Sequence, residues 1–211
     1  MRHFMYSIAL AAGFLIAPAA HAETAVFAGG CFWCVEKDMD HVKGVTSTVS
    51  GFAGGDSKNP SYENHEGYTE AVQVEFDPAV ISYEALTAHF LRTIDVVDGD
   101  GQFCDRGASY IPALFPLDQT QAKAASAALE AAAKDLGQAV AVKLSDKVNF
   151  AAAEGYHQNY YQGSNRVLTR FGYVKQSEAY AGYRKACGRD AKVKALWGDN
   201  AYSFPVGGAG T

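Results

Sequence analysis

A short apolar strand pattern, Thr24-Ala25-Val26-Phe27-Ala28, runs into the glycine pair Gly29-Gly30 and then directly into Cys31-Phe32-Trp33-Cys34. Such a chain has to leave a strand, turn sharply and begin a helix with a thiol at its first residue, since Val35 to His41 reads as helical turns. At a helix N-terminus the unpaired backbone N–H groups and the positive end of the dipole favour a thiolate at Cys31, the reactive form of the group. Gly29 and Gly30 permit the turn, and we expect them to leave space for a substrate beside the sulfur. Two thiols at this spacing also serve thioredoxin-like disulfide exchange or half of a zinc site. No second Cys-x-x-Cys and no His-x-His accompanies them, and Cys104 and Cys187 are isolated, so we expect no metal. Phe32 and Trp33 stand where thioredoxin-type sites keep small residues or proline. They form an apolar wall suited to a group such as a methyl.

The rest of the chain interleaves strand and helix patterns without internal repeats. Val45 to Phe52 and Ala71 to Phe76 alternate as half-buried strands do, the second closed by Asp77-Pro78. Ser82 can cap a helix over Tyr83 to Thr93. Asp118, with Gln121 three residues on, resembles a capping box before an alanine-rich helix that Gly137 stops. Ala139 to Leu144 reads as a strand, Glu154 to Tyr161 as a possible helix, and Ser177 to Cys187 as another. We therefore expect an α+β fold, a sheet with helices packed on it and a long irregular C-terminal segment.

Met1-Arg2-His3, the apolar stretch Ile8 to Ala17 and the small-x-small site Ala20-His21-Ala22 have the pattern of a secretory signal over residues 1–22. Export to an oxidising periplasmic or extracellular space is expected, with a single domain from Glu23 and a disordered tail from about 207 to 211. The formal net charge of −5 and the absence of basic runs argue against nucleic acid and anionic membranes as partners. A monomer is expected.

Five blocks in order resemble the A-type peptide methionine sulfoxide reductases: Gly30-Cys31-Phe32-Trp33 with Val35-Glu36; Asn59-Pro60-x-Tyr62; Tyr68-Thr69-Glu70-Ala71-Val72 leading to Phe76-Asp77-Pro78; Gly101-Gln102-Phe103-x-Asp105-Arg106-Gly107-x-Ser109-Tyr110; and Tyr156-His157-Gln158-x-Tyr160. The resemblance implies that Cys31 attacks the sulfur of methionine sulfoxide, free or in oxidised proteins, and becomes a sulfenic acid. It implies that Glu70 is the proton donor, that Phe32 and Trp33 hold the methyl, and that Tyr62, Asp105 and Tyr110 hold the polar end of the substrate. It also implies a mixed β-sheet flanked by helices in two layers with a ferredoxin-like core, specificity for the S epimer, no bound cofactor, and a thioredoxin-like dithiol as external reductant. Position 34 is cysteine where many relatives have glycine. Residues i and i+3 of a first helical turn approach within disulfide range, so Cys34 is expected to resolve the sulfenic acid.

Cys104 and Cys187 leave alternatives open. A structural disulfide between them, stapling the C-terminal segment to the loop of Asp105, is favoured; Cys187 as a third redox cysteine is the rival, and two separate thiols remain. Glu36 is expected to favour the helix dipole without chemical work, and His157 to pack rather than react. Two other functions compete: a secreted binding domain held by two disulfides, and a periplasmic disulfide oxidoreductase. Only the reductase needs an acid at position 70.

Overall fold

The computed structural model describes residues 21–204. The proposed signal segment and the tail from 207 therefore lie almost wholly outside the described residues. In chain order the elements are β1 (Glu23–Ala28), α1 (Phe32–Asp40), β2 (Val45–Ala53), β3 (Thr69–Phe76), α2 (Tyr83–Leu91), β4 (Gly101–Gln102), β5 (Asp105–Arg106), β6 (Ala113–Leu114), α3 (Gln119–Leu136), β7 (Lys143–Leu144), β8 (Phe150–Ala152), β9 (Arg166–Thr169), β10 (Gly172–Lys175), α4 (Gln176–Ala186) and α5 (Arg189–Trp197).

Six strands form one sheet in the order β7-β6-β1-β3-β2-β8. All its ladders are antiparallel except β6 with β7, which makes the sheet mixed. The inner order β6-β1-β3-β2, with α1 and α2 as connections, is the ferredoxin-like arrangement that the sequence leads one to expect. Strand periodicity sorts the side chains. Ala25 and Phe27 of β1 and Val72, Val74 and Phe76 of β3 join a core with Val35 and Met39 of α1, Leu86 and Phe90 of α2, and Val193 and Trp197 of α5. Val26, Ala28 and Ala71 face the other way, against Ala113 and Phe115. Glu70 belongs by parity to the row of Val72, Val74 and Phe76, so the fold carries its carboxylate into the helix-facing layer.

The helix caps follow the sequence closely. Ser82 accepts from the Ala85 N–H at 3.2 Å, and Asp118 from the Gln121 N–H at 2.8 Å. Gly137 ends α3 at φ +64°. The Gln121 side chain does not complete a capping box on Asp118. It accepts from the Leu117 N–H and donates to the Thr24 carbonyl, which ties the helix to β1.

Three expectations need correction. The strand over 139–144 shrinks to Lys143–Leu144, because its partner β6 is two residues long between Pro112 and Pro116; Ala141 donates instead to the Val96 carbonyl. The helix over 154–161 is two 3₁₀ turns, Gly155–His157 and Tyr160–Gln162, parted by Asn159 in the left-handed region at φ +53°. The cause is Glu36, whose carboxylate accepts the Asn159 N–H at 3.0 and 3.1 Å. The C-terminal segment is more regular than expected, holding the β9/β10 hairpin and α5 as well as α4.

Candidate active site

Cys31 is the N-cap residue of α1 and is half-buried, while Cys34 lies buried one turn on, its N–H donating to the Cys31 carbonyl at 3.0 Å. The turn ahead of them is shaped by packing. Gly30 sits at φ +79°, and a Cβ there would stand 2.5 Å from Cβ of Gln102; one on Gly29 would stand 2.7 Å from Cγ2 of Ile94. The glycines therefore admit Gln102 and Ile94, not a substrate, beside the backbone. Gln102 in turn accepts from the Asp95 N–H and donates to the Asp95 carbonyl, fixing the loop that carries Phe103, Cys104 and Asp105.

Cys31, Phe32, Trp33, Cys34, Tyr62, Glu70, Asp105 and Tyr110 all border one open cleft of about 770 Å³. The Glu70 carboxylate is 1 % exposed and accepts the Phe32 N–H at 2.9 Å, so it is anchored to the residue that follows the thiol. Burial pushes its pKa up to about 8; the Phe32 hydrogen bond opposes this and the Asp105 and Cys34 charges reinforce it. At neutral pH this side chain holds a proton. Burial likewise raises Asp105, with Arg189 opposing, and lifts Tyr62 to about 12, so the phenol remains a donor. Tyr110 is raised by burial in the same way.

The two thiols titrate as a pair. The hydrogen bond from Cys31 draws Cys34 down to about 7, against burial, with Arg189 and Arg184 adding their positive charge. The same bond, followed by burial and the charges of Cys34, Glu70 and Asp105, pushes Cys31 up. The pair thus shares one proton between two sulfurs at the start of α1, and the guanidinium groups lie on the Cys34 side. Those groups come from α4 and α5. Arg184 bonds Asp38, Asp190 and the Tyr180 hydroxyl, and Arg189, 1 % exposed, donates to the Gly29 carbonyl at 3.1 Å and lies over the Phe103 ring.

The apolar wall is built from two directions. Phe32 is fully buried against Phe52, Tyr62 and His157. Trp33 is half-buried and stacks on Tyr160 with ring centroids 3.8 Å apart. His157, buried between Trp33 and Tyr62, packs as expected. Glu36 departs from expectation. It is fully buried, raised to about 7 by desolvation, and anchors Asn159.

Cys104 and Cys187 stand 5.0 Å apart at Cα with their sulfurs bonded, at the rim of the same cleft. Their sulfurs and the Asp105 carboxylate converge within 4.8 Å. With the sulfurs bonded to each other, this is not a thiolate set for a metal. Sequence reasoning missed Arg184, Arg189 and Tyr180 beside the thiols, and did not foresee that the hairpin edge Val167–Arg170 borders the cleft. The one available signal was the pair of arginines flanking Cys187 on otherwise ordinary helices.

The model of the family described as "Peptide methionine sulfoxide reductase" matches residues 23–193. Peptide methionine sulfoxide reductase MsrA 2 of Rhizobium meliloti is 45% identical over 194 residues, covering 90% of this chain and 92% of the relative. The protein of the same name from Caulobacter vibrioides is 40% identical over 202 residues, covering 92% and 96%. Among solved structures, methionine sulfoxide reductase A of Corynebacterium diphtheriae superposes with a TM-score of 0.63 at 28% identity, covering 70% of this chain and 76% of that one. Mxr1 of Saccharomyces cerevisiae in reduced form gives 0.63 at 25% identity, covering 75% and 94%. A buried acid beside a thiol pair, on this fold and with these relatives, means that the chain belongs to the peptide methionine sulfoxide reductase family, whose peptide-methionine (S)-S-oxide reduction is its activity.

Proposed function

We propose that Cys31 takes the oxygen from methionine S-sulfoxide, that Glu70 is the acid, and that Cys34 resolves the product for reduction by an external thioredoxin-like dithiol. The observation that carries this is the Glu70 carboxyl, protonated near neutrality and hydrogen-bonded to Phe32 next to the nucleophile. As the Cys31 sulfur attacks the sulfoxide sulfur it leaves the pair's shared proton on Cys34, while Glu70 gives its own proton to the oxygen, on which negative charge develops. The hydroxyl then passes from the methionine sulfur to the Cys31 sulfur as the bond between the two sulfurs breaks, which releases methionine and leaves Cys31 as a sulfenic acid. The Cys34 sulfur then attacks the Cys31 sulfur, the S–O bond breaks, and the hydroxyl leaves as water with the proton that Cys34 gives up. A dithiol reduces the resulting disulfide and is itself oxidised. Phe32 and Trp33 receive the methyl, and Tyr62, Tyr110 and Asp105 bind the sulfoxide oxygen or orient the substrate.

The Cys104–Cys187 bond fits the role of a staple, since it joins the Asp105 loop to the α4/α5 junction that supplies Arg184 and Arg189. Replacing either cysteine with serine should cost about 2–4 kcal/mol in non-reducing urea denaturation while leaving dithiothreitol-driven turnover intact. Loss of turnover at unchanged stability would assign Cys187 to the redox relay instead. The pattern of residues 1–22 supports export, where such a bond persists.

The direct test is turnover of methionine sulfoxide with dithiothreitol, beside Cys31→Ser. We expect methionine release from the wild type and none from the variant. If the wild type releases none while its thiols still exchange with disulfides, the oxidoreductase reading replaces this one.

A further inference from the structure

The cleft accepts one side chain, but in a protein substrate that side chain arrives on a polypeptide whose main chain must continue across the rim. Its N–H and C=O groups lose water there and need partners. Beside Cys34 the rim is the β9/β10 hairpin. It closes on Arg170-Phe171, with Thr169 opposite Gly172, Leu168 opposite Tyr173 and Val167 opposite Val174. One face of this ribbon is occupied, since Val167 and Val174 pack on the cluster of Cys34, Tyr160, Ala179 and Tyr180. The other face holds Leu168, 84 % exposed, beside Tyr173, 62 % exposed. A paired apolar surface of this kind next to a cleft marks a place of contact.

Two observations concern the edge of the ribbon. Val167, Leu168, Thr169 and Arg170 all border the cleft. Side chains of a strand alternate between faces, so an unbroken run means that β9 turns its edge to the cleft. The polar groups on that edge are also unspent. With Thr169 and Gly172 closing a two-residue loop, the antiparallel alternation points the Leu168 N–H and C=O away from β10. Among the described residues no hydrogen bond outside the ribbon uses them. The far edge differs, because there the Tyr173 carbonyl accepts from Arg166 Nη1 at 2.9 Å.

We propose that β9 captures the extended main chain of an oxidised polypeptide, adding it to the hairpin as a third strand. The sulfoxide then lies on the Val167 face, toward Cys31, and its sequence neighbours lie over Leu168 and Tyr173. The occupant is locally unfolded chain, because a folded strand already paired on both sides has no groups to offer. This inference rests on the reductase reading above.

The test compares kcat/KM for free methionine sulfoxide, for a short peptide with the sulfoxide at its centre, and for the same peptide N-methylated at its flanking amides. Dithiothreitol is the reductant, so no protein reductant needs to dock. N-methylation should lower kcat/KM on the peptide about tenfold, the worth of one or two main-chain hydrogen bonds. Leu168→Pro, which deletes the outward N–H, should do the same and leave the free substrate untouched; that activity doubles as the folding control. Leu168→Ser, which keeps the main chain, should cost less than Leu168→Pro. Equal reduction of the two peptides, or proportional slowing of free and peptide substrates by Leu168→Pro, would overturn the proposal. So would an effect of Leu168→Pro confined to recycling by a protein dithiol, which would assign the edge to the reductant. If the wild type reduces no substrate at all, it is the reductase reading that fails.

Discussion

Glu70→Gln should slow the first turnover of sulfoxide reduction by about 10²- to 10⁴-fold, about 3–5 kcal/mol of transition-state stabilisation. Glutamine preserves the size of the side chain and can still accept the Phe32 N–H, so fold and cleft should persist. What it cannot do is release a proton to the departing oxygen. The pH dependence follows from the same group. Burial holds the wild-type carboxyl at about 8, so the acid form is present at neutral pH and is lost as pH rises through that value. First-turnover rates, measured without reductant, should therefore fall above about pH 8 in the wild type. They should also fall below about pH 7, where the thiol pair regains its second proton. In Glu70→Gln the alkaline fall should vanish, since glutamine does not titrate. A variant as fast as the wild type, or one with the same alkaline fall, would remove Glu70 from the chemistry.

Without reductant, Cys34→Ser should reduce one equivalent of sulfoxide and then stop, and continuous turnover driven by a thioredoxin-like protein should fall by a factor of about 10² or more. Cys31 would be left as a sulfenic acid, read by intact mass as the gain of one oxygen, because no second thiol stands within reach of it. Cys104 and Cys187 border the cleft but are bonded to each other. A further consequence concerns Cys31 itself. The bond to Cys34 is the largest of the effects that push it up, and the Cys34 charge adds to them. Without that thiol, Cys31 should ionise at lower pH, visible as thiolate absorbance appearing earlier in an alkaline titration. Sustained turnover by Cys34→Ser would show that the sulfenic acid is resolved elsewhere.

The parts of this fold legible in the sequence are those written in local contacts. Ala71 to Phe76 alternates because one side of β3 meets helices, and Ser82, Asp118 and Gly137 cap helices through bonds to neighbours in the chain. The thiol pair is equally local, since three residues in a helical turn bring Cys31 and Cys34 together whatever lies around them. Glu70 could be singled out by resemblance, but its acidity could not be read from β3. That depends on the layer into which the strand's parity turns it.

Long-range contacts decided the remainder. Asn159 breaks what reads as a helix because Glu36, 123 residues away in sequence, takes its N–H. Gly29 and Gly30 are required by Ile94 and Gln102, which no local pattern links to them. The Cys34 thiol is lowered first by the local hydrogen bond from Cys31, and α4 and α5 add to this by returning Arg189 and Arg184 to that side. By itself, the sequence determined the strands and helices around the thiols, the helix caps, the paired thiols and the family, because periodicity, capping and motif spacing are properties of neighbouring residues. Only the tertiary structure decided that Glu70 is buried and raised, that Arg184 and Arg189 lie on the Cys34 side, and which edge borders the cleft, because burial and electrostatics are set by residues far apart in the chain.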